Sequence, residues 1–184
     1  MDRPDLPFGT GLVASVLAYG VGYLVTYLWQ APAVRDTLSP VNQFLQLVGS
    51  ETIPVWKAVG WLFYNAHTVP IRLPALGQGH VTRSLIGNGG APSLLYVVPP
   101  ILLLVAGSWV AWWDGAEGFG RGGLVGASVA IGYVVLAIVG VFVFRYTVGG
   151  IVVGSDLVRA ILLVGLVYPL VFGAIGGGVT AEIR

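Results

Sequence analysis

The sequence predicts an all-α, polytopic membrane helix bundle: five transmembrane helices plus a short interfacial helix, in one domain over residues 1–184. Three observations carry this reading. Only 9% of the residues are charged while 56% are hydrophobic, whereas a soluble domain needs about 25% charged residues to face water. Residues 124–144, LVGASVAIGYVVLAIVGVFVF, run 21 positions without a charge between Arg121 and Arg145. At about 1.5 Å per residue that run makes a helix of about 30 Å, the thickness of a bilayer's hydrocarbon core. Other stretches repeat the pattern, and the mean hydropathy of the chain is +0.86.

Residues 8–29 form the first span, 22 positions without a charge. Tyr27 and Trp29 lie where an interfacial aromatic anchor sits. A secretory signal peptide is the competing reading, because Ala31-Pro32-Ala33 resembles a small-x-small cleavage site. Against it, the apolar run exceeds the roughly 7–15 residues of a signal core, and Asp2 and Asp5 stand where a basic start belongs. Beyond the span, Ser39-Pro40 reads as an N-cap followed by proline at the first helical position. Phe44, Leu45 and Val48 then share a face, which gives the interfacial helix at 40–48.

Residues 53–71 are long enough to span but carry Lys57, Asn65 and His67, with Pro54 and Pro70 near the ends. A lysine at the centre of a span costs about 2.5–3.5 kcal/mol on insertion scales. Lys57 stands near the start, so its stem can reach back to the interface. The stretch reads as a fifth span with polar ends; the alternative is a helix lying on the membrane surface. Residues 72–93 read as an irregular loop, with turn chemistry at Gly87-Asn88-Gly89-Gly90 and no Walker lysine or dinucleotide spacing to bind phosphate.

The next span is 94–113, where Pro99 and Pro100 remove backbone donors and are expected to kink the helix. Residues 114–123 make a short glycine-rich loop, 124–144 cross again, and 145–159 connect to the last span at 160–179. That span holds Pro169, a further candidate kink. Small residues recur at four-residue spacing: Gly122 with Gly126, Gly126 with Ala130, Gly150 with Gly154, and Gly173 with Gly177. Such spacing opens a groove for close helix packing, either within the bundle or against a second copy or membrane partner.

Several function classes are excluded by composition. The net charge of +1, with no basic tail, leaves nothing to release counterions from nucleic acid. Cysteine is absent, which removes thiol catalysis, disulfides and iron–sulfur ligation. Two histidines 13 residues apart, without HExxH spacing or a nearby carboxylate, make no metal site. Ser84 and His80 would share a helix face, but the glycines at Gly77, Gly79 and Gly87 argue against a helix there, and no acid completes a triad. Neither an enzyme nor a cofactor is expected. The ionisable and amide groups that reach membrane depth are Lys57, Asn65 and His67, and together with the broken helices at Pro99, Pro100 and Pro169 they are the candidate functional positions.

Orientation follows from the basic residues. With five spans, Arg3, Arg72, Arg83, Arg145 and Arg159 share one side, against Arg35, Arg121, Arg184 and the nearby Lys57. The positive-inside rule then puts the N-terminus in the cytoplasm and the C-terminus outside. With four spans, Arg35, Lys57, Arg72, Arg83, Arg145 and Arg159 lie together, six against three.

The run Leu38-Ser39-Pro40-Val41-Asn42, the run Trp56-Lys57-Ala58-Val59-Gly60-Trp61-Leu62-Phe63-Tyr64-Asn65-Ala66-His67, and Tyr96-Val97-Val98-Pro99-Pro100 resemble an uncharacterised family of halophilic-archaeal multi-spanning membrane proteins. The resemblance covers nearly the whole chain. It implies an archaeal plasma membrane and a transporter-like role with no known substrate. The functional expectation is therefore a small transporter-like or solute-conducting protein. The alternative is a non-catalytic scaffold or accessory subunit of a membrane complex.

Overall fold

A computed structural model describes residues 7–74, 80–148 and 151–184 of the chain. Arg3, the acidic pair Asp2 and Asp5, the Gly77-Gln78-Gly79 run and Gly150 lie outside the described residues. Helix α1 is Phe8–Leu47, α2 is Val55–Ala66, and strands β1 (Ile71–Pro74) and β2 (His80–Arg83) follow. A 3-10 turn over Ser93–Val97 leads into α3 (Val98–Asp114), then α4 (Phe119–Ala127) and α5 (Val129–Val143). Strands β3 (Tyr146–Val148) and β4 (Ile151–Ser155) precede the single turn α6 (Leu157–Arg159), a π-helical stretch Ala160–Val167, and α7 (Tyr168–Glu182).

Among the described residues, four helical units are long and apolar enough to cross a membrane: Phe8–Leu47, Ser93–Asp114, Phe119–Val143 and Leu157–Glu182. The stretch expected to supply a fifth does not reach that length. Its helix has 12 residues, about 18 Å at the α-helical rise, and a bilayer core needs about 30 Å. The chain leaves the helix at Thr68, whose φ of 63° reverses its direction, and continues into β1.

The all-α expectation also needs correcting. Four strands form one sheet in the order β2-β1-β4-β3. Each neighbouring pair is antiparallel, with Ile71 opposite Arg83 on one side of β1 and opposite Ser155 on the other. Tyr146 opposite Val153 sets the register of the hairpin β3–β4. Both connections read as loops from the sequence therefore carry strands. Their β-branched residues (Ile151, Val152, Val153, Val81, Thr82) suit a pleated surface, and pairing across some eighty positions of chain is what orders them. The Arg72 guanidinium of β1 is ion-paired with Asp156, which directly follows β4. The Asp156 carboxylate also accepts the Arg159 N–H at 2.8 Å, which caps the start of the last helical unit.

Helix α1 has 40 residues and runs through Pro32 and Pro40, so the short helix expected at 40–48 is the end of α1 and Ser39-Pro40 is not its cap. Each proline removes one i→i−4 bond and favours a bend there. A straight helix would hold Asn42 about 28 Å from Tyr23. Yet Asn42 exchanges two hydrogen bonds with Ile53, at 2.8 and 3.1 Å, and Tyr23 donates to the Trp56 carbonyl at 3.0 Å. Three residues of chain span at most about 11 Å, too short a reach even with the side chains added. The outer half of α1 thus inclines over the start of α2.

Close helix contact depends on glycine. A Cβ on Gly132 would stand 2.7 Å from the Ser15 hydroxyl where α5 meets α1, and one on Gly126 or Gly107 would collide with the Gly173 carbonyl of α7. Gly122 meets Gly177 in the same way. The spaced pairs Gly122/Gly126 and Gly173/Gly177 face each other within the chain. The same contacts give the helix directions. Gly11, Tyr19 and Tyr23 of α1 meet Ser128, Gly140 and Phe144 in parallel order. Gly118 at the start of α4 donates to the carbonyl of Ala181 at the end of α7, 3.1 Å away. Phe8, Gly118 and Glu182 therefore lie toward one end of the bundle. The sheet, α2's start and the outer half of α1 cap the other. The start of α1 and the end of α7 thus lie toward the same end of the bundle.

Two glycines of α4 separate packing from propensity. Gly126→Ala forces a methyl onto the Gly173 carbonyl and is expected to destabilise by about 1–3 kcal/mol. Gly120, with open space around it, is expected to gain up to about 1 kcal/mol as alanine from helix propensity. Thermal unfolding of the two variants in detergent, against the native chain, checks both signs.

Candidate functional site

Helix α2 enters the bundle from the capped end. Its N-cap, Pro54, is extended (φ −68°, ψ 134°), which suits a residue preceding a helix. Every residue from Ala58 to Ala66 is buried, so the short helix is held by contacts all round rather than by one face. The Trp61 indole donates to the Phe144 carbonyl at 2.7 Å, and the Tyr64 hydroxyl to the Ala137 carbonyl at 2.5 Å. Because Tyr64 has a single proton and uses it there, Tyr19, 3.0 Å away, is the donor in the Tyr19–Tyr64 pair.

The last turn of a helix leaves carbonyls without partners, and here that turn is deep inside the protein, away from water. The His67 ring and the backbone N–H groups of residues 67–69 supply donors, and the Asn65 amide holds the chain just beyond. The His67 ring is fully buried, with Nδ1 2.9 Å from the Phe63 carbonyl and Nε2 3.0 Å from the Tyr133 hydroxyl. A carbonyl only accepts, so Nδ1 carries the proton. Neutral Nε2 then accepts from Tyr133. Phe63, at a ring-centroid distance of 4.8 Å, and Tyr168, at 5.1 Å, enclose the imidazole. The Asn65 amide nitrogen donates to the Val69 carbonyl at 2.9 Å and more weakly to the Trp61 carbonyl at 3.4 Å. Its oxygen accepts from the Leu85 N–H at 2.6 Å and lies 3.1 Å from the Ser84 hydroxyl. Thr68 N–H and Val69 N–H satisfy the carbonyls of Asn65 and Tyr64, and the Thr68 hydroxyl takes that of His67.

The three candidate polar positions are not brought together. Asn65 and His67 face the interior, at 1% and 0% exposure. Lys57 stands ten residues earlier at the rim, where its ammonium donates to the Arg145 carbonyl at 2.8 Å and lies 5.3 Å from the Trp56 ring and 5.6 Å from Tyr146. Pro99 and Pro100 occupy the first turn of α3, after the 3-10 turn. Pro169 occupies the first turn of α7, after the π-helical stretch. At the start of α3 a missing N–H is tolerated, whereas Pro32, Pro40 and, within the continuous helical unit Leu157–Glu182, Pro169 stand inside helices. His80 lies on exposed β2, while Ser84 belongs to the Asn65 network. The sequence reading missed Tyr19, Tyr64, Tyr133 and Ser84 as partners; tyrosines at membrane depth were the available signal, because a buried phenol needs a partner. Among the described residues, no three histidines or carboxylates converge as a metal site.

Chemically the arrangement is a closed hydrogen-bond network. Both nitrogens of His67 and both ends of the Asn65 amide are occupied by the protein itself, and the Tyr64 proton is committed to Ala137. Replacing Asn65 by leucine or His67 by phenylalanine leaves at least two buried groups unpaired, at about 1–3 kcal/mol each. Lys57→Met at the rim is expected to cost about 1 kcal/mol or less. Unfolding midpoints in detergent should fall far more for the first two than for the third.

No curated protein and no solved structure matches the chain. Residues 2–184 match DUF7978, described as a family of unknown function. With the match running almost end to end, the chain belongs to that family.

Proposed function

We propose that the protein is a non-catalytic membrane component, a scaffold or accessory subunit, whose four long helices anchor a capped end for partners to contact. The observation that carries this reading is the saturation of the Asn65–His67 network. A solute pathway needs polar groups free to exchange water for cargo at membrane depth, and these groups hold a chain reversal in place instead. The end of α1 supports the partner role: Phe44 and Leu47 are 63% and 86% exposed, on a segment beyond the uncharged run, and such patches mark interaction surfaces.

On this reading the four helices cross a plasma membrane, and the resemblance to halophilic-archaeal proteins points to that of an archaeon. Among the described residues, the capped end carries Arg35, Lys57, Arg72, Arg83, Arg145 and Arg159, and the opposite end Arg121 and Arg184, so the positive-inside rule favours a cytoplasmic cap.

A second reading, a solute-conducting protein, has one observation in its favour: a helix that ends inside the bundle, as the broken helices of transporters do. Proteoliposomes separate the two. The scaffold reading expects permeability to potassium, protons and glycerol no higher than in empty vesicles, and crosslinking in native membranes that yields an adduct heavier than the monomer. Protein-dependent permeability that disappears in His67→Phe at full folded yield, with monomer alone after crosslinking, would reverse the assignment.

A further inference from the structure

Beneath the outer half of α1 lies a cavity of about 490 Å³, within the range of roughly 300–1,000 Å³ typical of small-molecule sites. One wall is a helical stripe that includes Gln30, Val34, Leu38 and Leu45; α2 contributes Trp61 and the sheet contributes Ile71. No charged side chain lines it. The cavity exists because α1 bends over α2 without closing on the sheet.

Gln30 distinguishes this space from a packing gap. It is 4% exposed and borders the cavity, and among the described residues its amide makes no hydrogen bond. The other buried polar side chains of this region behave differently: Thr26 donates to the Gly22 carbonyl at 2.8 Å and Asn65 is fully engaged. Ser128 Oγ, the fully enclosed side-chain atom without a partner among the described residues, does not border the cavity, whereas Gln30 lines it. Buried polar groups are ordinarily paired. An ordered water there finds few partners, because it needs two to four polar contacts and the lining is mostly apolar. An apolar molecule carrying one hydrogen-bonding group satisfies the lining and the amide together.

We propose that this cavity binds a membrane amphiphile, an apolar chain bearing an uncharged hydroxyl, ester or amide that meets Gln30. The position points to the membrane as its source. Gln30 directly follows Trp29, the interfacial aromatic at the end of the expected first span, so the cavity begins at the level where amphiphiles place their polar groups. Ala33 and Thr37, both small and exposed, border its mouth. This goes beyond the scaffold reading and does not depend on it.

The test uses the full chain in lipid nanodiscs, titrated with a monoacylglycerol brominated along its chain, which quenches nearby tryptophan. Saturable quenching of Trp61 is expected, absent in Trp61→Phe and lost when Ala33→Phe or, independently, Thr37→Phe fills the mouth. Gln30→Leu should weaken binding about tenfold while melting at or above the native temperature, because among the described residues the amide has no protein hydrogen bond to lose. Quenching that never saturates, or that persists unchanged in both mouth variants, overturns the site. Unaltered affinity in Gln30→Leu overturns the assignment of the polar group to Gln30.

Discussion

A helix that ends inside a protein, away from water, must find donors for its last carbonyls, and the structure depends on how α2 solves this. A carbonyl stranded in an apolar interior costs about 1–3 kcal/mol, and the final turn of α2 presents several. The solution lies within four residues of chain. His67 turns its ring back onto Phe63, Asn65 reaches forward to Val69, and Thr68 adopts the left-handed conformation that lets two backbone N–H groups point inward. The chain can then reverse and return to the end from which it came.

Much of the architecture follows from that reversal. Because α2 returns, β1 emerges beside β4 and the cap acquires a sheet in place of two loops. Because α2 occupies the bundle only part of the way, α5 packs directly on α1 through Ser15 and Gly132, and α3 and α4 pack on the glycine face of α7. Tyr133 ties the tip of the reversal to α5, and Leu85 and Ser84 tie it to the segment leading to α3. The bend of α1 over α2 leaves the cavity that Gln30 borders.

The long helices were legible because their signal is compositional: twenty uncharged residues have few alternatives to a buried or lipid-facing helix. The glycine spacing was legible as a packing groove for the same reason. The sheet was not, since its strands have three to five residues and their order comes from partners far apart in sequence. Residues 53–71 were ambiguous because length alone suits a span, and only the tertiary fold places Asn65 and His67 at the end of a 12-residue helix. Ser39-Pro40 misled for a related reason: proline at a first turn and proline inside a long bent helix look alike locally. Nothing in the sequence distinguished Gln30, whose interest arises from what α1 leans over.

The architecture requires that the chain enter and leave α2 from the same end of the bundle. The chain has no cysteine, so single cysteines can be placed at Phe8, Gln46 and Ile183, all exposed, and labelled in intact cells with a membrane-impermeant maleimide. The structure predicts that Phe8→Cys and Ile183→Cys behave alike and that Gln46→Cys behaves oppositely. Opposite labelling of Phe8→Cys and Ile183→Cys would mean an odd number of crossings, with α2 traversing the membrane, and would contradict the account.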